Sequence, residues 1–290
     1  MNVPPTWLHG LFAVLPTPMA EDTSLDLPGL DRVVEHYLAG GAVGLVPASI
    51  AGEGDRLDAA ERRRVIERVV QRAAGRAPVI VGVLDDDTAH ALAQARAAAA
   101  CGAAGLLVKP PAGAGAPAVC AHVAAIAQAL HLPIILLDHP KFGGALPASL
   151  VQTLAATVPE VCGIKLEDEP TPAKMARVRA LLGGRIRIFG GLGGVHCLAE
   201  LAHGADGFFT GCPHPAQLVQ VLACWRRGEH AAAAAAYEAL RPLALREHEH
   251  PAAMVSQRKT ILRDAGIIGT ATVRPAAGAS RVPPIAPLPK

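Results

Sequence analysis

The sequence predicts a (β/α)8 barrel over residues 1–222, with a helical appendage and proline-rich tail over residues 223–290. Three observations carry this reading. Eight short runs are largely apolar on both faces, as strands of a parallel sheet covered by helices must be. Helix-sized stretches with capping signals separate most of them. The alternation then stops after Leu222.

Leu8–Leu15 opens the series. Asp26 is placed to cap Leu27–Leu38, which ends at Gly40-Gly41. Val43–Pro47 is the second run, and Asp58-Ala-Ala-Glu61 then has capping-box form with Asp in place of Ser or Thr. Val79–Val83, Gly105–Val108, Ile134–Leu137 and Val161–Leu166 follow. Thr171-Pro172 reads as an N-cap before a proline at the first helical position. Ile186–Phe189 and Gly207–Thr210 complete the set. Eight such units in about 220 residues fit a closed barrel better than an open doubly wound sheet. No GxGxxG follows the first run, which argues against a dinucleotide fold. Beyond it, His230–Leu245, with six alanines from Ala231, and Met254–Ala265 read as helices, and Arg274–Lys290 as an extended tail.

Hydrophobic residues make up 51% and charged residues 18%, enough for a sizeable core and unlike a disordered chain. The formal charge is only +2, and Arg62-Arg63-Arg64 sits among Glu61 and Glu67, so the run reads as a solvated helix face and no nucleic-acid partner is expected. Six cysteines show neither CxxC nor metal-finger spacing, which favours a reducing, cytoplasmic setting. No signal peptide and no membrane-spanning run are indicated.

Barrels of this type carry chemistry at the carboxyl ends of their strands. That rule selects five loci: Ser49-Ile-Ala-Gly-Glu-Gly54, Lys109-Pro110-Pro111, Asp138-His139-Pro140, Lys165 with Glu167, and Gly190-Gly-Leu-Gly-Gly194. Lys165 either snorkels to solvent or, desolvated to a neutral amine, attacks a carbonyl to form a Schiff base. Glu167, on the same strand face, is a general acid/base or an ion-pair partner. Asp138-His139 is a base with its orienting carboxylate, or a turn before Pro140. Gly190–Gly194 opens backbone N–H groups to an anion. His248-Glu-His250 lacks a third spaced ligand, so no metal is expected there.

Together these residues resemble the dihydrodipicolinate synthase / N-acetylneuraminate lyase family of class I aldolases, from about Gly10 to Ile268. The anchors are Ala13-Val-Leu-Pro-Thr-Pro18, Gly52-Glu53 with Leu57 and Glu61, Ile134–Pro140, Gly163-Ile-Lys165 and Gln257–Leu262. The resemblance implies a barrel with a C-terminal helical domain, assembled as a homo-oligomer (dimer or tetramer), and a 2-oxo acid such as pyruvate held as an imine on Lys165. It implies no metal or organic cofactor. Glu167, Asp138 and His139 are the acid/base candidates, and Ile50, Ala51, Gly52, Glu53, Gly190, Gly191 and Phe209 the substrate contacts.

The departures are equally specific. Ile50 and Ala51 replace two threonines, Leu137 and Asp138 replace a catalytic tyrosine and the asparagine after it, and Pro111 and Ala112 stand where a tyrosine is lent to a neighbouring subunit. The usual hydroxyl relay is gone, because Leu137 can neither donate nor accept a proton. Three functions fit: a Schiff-base aldolase or dehydratase, a non-catalytic metabolite-binding descendant, or a metal-dependent barrel aldolase drawing on His139, Asp138 and Glu167.

Overall fold

The structure, a computed structural model, describes residues 4–275. Eight parallel strands appear where apolar runs were expected: β1 (Gly10–Val14), β2 (Gly44–Val46), β3 (Ile80–Val83), β4 (Gly105–Val108), β5 (Ile134–Asp138), β6 (Val161–Leu166), β7 (Arg187–Gly190) and β8 (Gly207–Thr210). The order β2-β1-β8-β7-β6-β5-β4-β3 leaves β2 and β3 as the two ends of the sheet. A parallel bridge between Leu45 and Val79 joins them and closes a (β/α)8 barrel.

That seam is sparse, and Arg62 fills it. Its guanidinium donates to Ala48 O (3.1 Å), Gly54 O (3.2 Å) and Gly82 O. It is only 6% exposed, so it departs from the solvated face expected of the arginine run. Unpaired carbonyls at an open sheet edge are costly to bury, and five fixed N–H donors satisfy several at once.

The helices are α1 (Leu27–Ala39), α2 (Ala59–Ala73), α3 (Thr88–Ala100), α4 (Ala116–Leu130), α5 (Ala148–Thr157), α6 (Thr171–Leu182), α7 (Cys197–Ala202) and α8 (Pro215–Arg226) around the barrel. Asp26 and Asp58 cap α1 and α2 as expected, the latter in a complete capping box. Thr171 is instead the first residue of α6, after Pro170, and its hydroxyl is spent on Glu200. The division expected after Leu222 falls inside α8, which continues to Arg226.

Alternation along the strands makes two cores. Phe12, Val14, Val46, Ile80, Leu107, Ile135, Leu137, Phe189 and Phe209 fill the barrel interior. Their neighbours Ala13, Leu45, Val81, Val108, Leu136, Ile164, Ile188 and Phe208 pack outward beneath the helices. Phe12 stacks on Phe209 at a 4.6 Å centroid distance and Phe189 meets both edge-on, which plugs the interior below the open rim.

Three more helices follow: α9 (His230–Glu238), α10 (Arg241–Glu249) and α11 (Met254–Asp264). They reach back to the carboxyl rim of the barrel. Tyr237 Oη donates to Gly194 O at 2.8 Å and to Val195 O at 2.9 Å. Arg258 donates two bonds, of 2.8 and 2.6 Å, to Glu247, both residues being buried. A Cβ on Gly193 would lie 2.6 Å from Glu247 Oε2, so the turn after β7 rests directly on this pair. The tail expected over Arg274–Lys290 lies outside the described residues beyond Pro275. Among the described residues, no helix is long and apolar enough to cross a membrane.

Candidate active site

Lys165 is the fifth residue of β6 and points inward, as Phe189 and Leu137 do beside it. The register pairs it with Leu137 on β5 and with Phe189 on β7. Its side chain is 11% exposed, so it neither extends into bulk water nor is sealed in the core. Nζ lies 2.8 Å from Oε2 of Glu167, the next inward residue of the chain.

Glu167 is fixed from two sides. Its Oε1 accepts the Leu192 N–H at 2.8 Å, just past β7. The N–H groups expected after β7 to receive a substrate anion thus serve, at Leu192, the protein's own carboxylate. Gly191 makes this approach possible, because a Cβ there would stand 2.2 Å from Glu167 Oε1. Burial pushes the Glu167 carboxyl up, but Lys165, the charge on His139 and the two hydrogen bonds outweigh it and hold the group below its ordinary value.

His139 is the third member. The strand ends at Asp138, and His139, freed from the sheet, comes under the charges of both Glu167 and Lys165. Burial is the main cause that holds its pKa below the usual histidine value. Its Nδ1 accepts the Lys141 N–H at 3.1 Å, so the neutral ring carries its proton on Nε2. The Phe142 ring packs edge-on against it at 4.7 Å.

Asp138 does not join them. Still in the strand, it faces the helical layer, where Lys174 of α6 lies 2.8 Å away and the Leu146 N–H donates at 2.6 Å. Strand alternation forces this: if Leu137 points in, Asp138 points out. The expectation of a paired Asp138-His139 base is therefore corrected. Burial raises the Asp138 pKa, against the pull of Lys174.

The loop after β2 also differs from expectation. The Gly52 and Glu53 N–H groups donate to Ser49 O and Ile50 O, both at 3.0 Å, and are not free for an anion. The Glu53 carboxylate, fully buried, pairs with Lys259 of α11 and accepts the Arg274 N–H at 2.9 Å. Ile50 and Ala51 remain: they open this short turn, where the first N–H groups have no intrahelical carbonyl, and their side chains pack against the barrel interior. Gly190 faces outward toward Glu200, and Phe209 lies in the aromatic plug with no exposure.

Two ionisable groups near the rim have partners that residue spacing does not show. Glu200 on α7 is fully buried beside Gly190 and accepts the Thr171 hydroxyl at 2.6 Å. Burial raises its pKa to about 8. The signal available was a lone carboxyl among Cys197, Leu198, Ala199, Leu201 and Ala202. Lys109, at the end of β4, pairs with Asp86. Among the described residues, no group of three His, Cys, Asp or Glu side chains could hold a metal ion. His248 instead lies 3.6 Å from Glu169, which His196 meets at 2.7 Å. A groove of about 740 Å³ lies between α4 and α5 and includes none of Lys165, Glu167 or His139.

Comparison with known proteins gives the family and the fold. The sequence profile of the dihydrodipicolinate synthetase family matches residues 7–281. An L-2-keto-3-deoxyarabonate dehydratase from Azospirillum brasilense is 30% identical over 268 residues, covering 90% of this chain and 86% of that protein. A 4-hydroxy-tetrahydrodipicolinate synthase from Sorangium cellulosum is 34% identical over 239 residues, covering 80% and 79%. The crystal structure of dihydrodipicolinate synthase from Rhodopseudomonas palustris superposes with a TM-score of 0.88 at 29% identity, covering 95% and 93%.

Proposed function

Since the chain belongs to the dihydrodipicolinate synthetase family, we propose that it is a Schiff-base-forming lyase, an aldolase or dehydratase, taking a 2-oxo acid such as pyruvate or a keto-deoxy sugar acid onto Lys165. The observation that carries this is the Lys165–Glu167 pair, 2.8 Å apart at the rim of an apolar barrel. Glu167 takes a proton from the ammonium, and the neutral amine adds to the 2-oxo carbon. The carbinolamine then loses its hydroxyl as water, with a proton returned by Glu167, leaving a protonated imine. The imine withdraws electrons and stabilises the enamine formed when a proton leaves C3 or a C–C bond breaks. Glu167 removes that C3 proton and delivers it to the hydroxyl that leaves as water, while the neutral His139 ring gives the departing oxygen a hydrogen bond from its Nε2–H. The N–H groups of Ile50 and Ala51 bind the substrate carboxylate. The similarity to an L-2-keto-3-deoxyarabonate dehydratase supports a sugar-acid substrate and C–O cleavage.

In this reading the acid/base work has moved along the rim. The position opposite Lys165 holds Leu137, the proton carrier is the next inward residue of the β6 chain, and the first residue beyond β5 supplies a hydrogen bond. The same reading has the chain acting as a homo-oligomer in the cytoplasm. Its six free cysteines accord with a reducing compartment.

The test is borohydride reduction in the presence of pyruvate and a panel of 2-oxo acids. A reduced adduct on Lys165, absent in Lys165→Ala, is the expected result. Leu137 in place of a proton carrier favours one rival, a barrel that binds a metabolite without turnover. Ligand protection against heat without any trapped adduct would establish that rival and overturn the lyase reading.

A further inference from the structure

A second lysine stands at the height of the first. Leu107 belongs to the barrel interior and Val108 to the outer core, so Lys109 follows with inward orientation. Its N–H still donates to Val83 O at 3.0 Å, so the strand geometry extends through it. The β4–β5 register pairs Val108 with Leu136, which sets Lys109 level with Leu137, and Leu137 is paired with Lys165. Two lysines thus flank Leu137 at one level, two strand spacings apart, or roughly 10 Å between backbones.

The site around Lys109 is built. The residue is 7% exposed, and its amine is directed to Asp86 Oδ1 in the loop after β3, away from Lys165. The Ala112 N–H donates to the same oxygen at 2.8 Å. Among the described residues, both protein donors to Asp86 fall on Oδ1, and the side chain is 55% exposed. Gly143, in the loop after β5, closes over the lysine stem, since a Cβ there would meet Lys109 Cγ at 2.7 Å and Pro110 O at 2.4 Å.

We propose that the Lys109–Asp86 pair is the specificity determinant for the distal end of the substrate, and that it recognises a hydroxylated chain. The assignment rests on Lys165 holding the 2-oxo carbon. A pair already neutral gains little from a further carboxylate, which would have to displace Asp86. A hydroxyl gains twice, accepting from Nζ and donating to the exposed carboxylate oxygen.

The experiment follows turnover, by C–O or C–C cleavage, of a six-carbon 2-oxo-3-deoxy acid hydroxylated at C4, C5 and C6 and of its analogue hydroxylated at C4 alone. It uses the full chain, Lys109→Met and Asp86→Asn. Borohydride adduct formation with pyruvate alone should stay within about twofold of wild type in both variants, because pyruvate has no distal hydroxyl; this also reports that the variants are folded. The kcat/KM for the fully hydroxylated acid should fall roughly 10- to 100-fold, mainly through KM, while the value for the analogue holds. Equal losses for both acids, a matching loss of adduct, or no loss at all overturns the assignment to Lys109. Absence of the pyruvate adduct in the wild-type chain overturns the Lys165 reading, and this inference with it.

Discussion

The ammonium of Lys165 and the carboxylate of Glu167 lie 2.8 Å apart, two residues along one face of the β6 chain. The spacing lets one proton pass between nucleophile and base without a third group. Glu167→Gln keeps the shape and the acceptor for Leu192 but cannot take the proton. Its kcat/KM should fall by roughly 10²- to 10⁴-fold, with borohydride trapping slowed but still specific to Lys165. Because the folded carboxyl is held below its ordinary 4.5, wild-type activity should persist on the acid side down to that pH and decline only beneath it. A pH–rate profile of both proteins checks this, and an unchanged acid limb in the variant would remove Glu167 from the reaction.

Glu200 makes a separate pH prediction, of stability rather than rate. Its folded pKa is raised by burial from 4.5 to about 8, with Thr171 opposing and the charges of Glu167 and Glu169 adding to the rise. Cys197 and Tyr237 also face it. Between those two pH values the folded chain binds the proton and the unfolded chain does not. The stability from a protonated Glu200 is therefore complete below pH 4.5 and is lost as pH rises to 8, a swing on the order of 5 kcal/mol. Glu200→Gln keeps an acceptor for Thr171 and removes the titration. Thermal melts should show the variant gaining on wild type from pH 5 to 8 and then running parallel.

Glu53 and Lys259 join the loop after β2 to α11, and neither is exposed. Burial lowers the Lys259 pKa, partly offset by Glu53, so the pair is bound by mutual dependence. Lys259→Ala leaves the buried carboxylate with Arg56, at 3.7 Å, and the Arg274 N–H, and should cost about 3 kcal/mol in denaturant unfolding, whereas Glu53→Gln with Lys259→Met should recover most of the loss. If single and double variants are equally destabilised, packing of the lysine stem rather than charge pairing holds α11 on the barrel.

What could be read from residue order alone divides along a physical line. Strands buried on both faces leave a dense local signature, so all eight were legible, and Lys165 stood out as a charge ending one of them. Asp138 was harder, because its direction depends on where β5 stops: one more residue of strand turns it toward Lys174 and leaves His139 at the rim. Arg62 and Glu53 were illegible for a different reason. Each sits beside ordinary surface charges, and only closure of the barrel and docking of α11 create the carbonyls and the ammonium they satisfy.

The last prediction uses a glycine to test whether Glu167 must stand where it does. A Cβ at Gly191 would lie 2.2 Å from Oε1, 2.4 Å from Cγ and 2.5 Å from Cδ of Glu167, so Gly191→Ala must move the carboxylate. The Glu167 side chain is only 9% exposed and tied to Lys165 and Leu192, and it has little room to retreat. Displacement of a catalytic group by about 1 Å costs on the order of 100-fold in rate. Gly184→Ala is the matched control, since a Cβ there meets nothing within 4 Å. Gly191→Ala should lose activity by that order while still forming the Lys165 adduct slowly, and Gly184→Ala should match wild type. Full activity in Gly191→Ala would mean that the proton carrier of this barrel is a group other than Glu167.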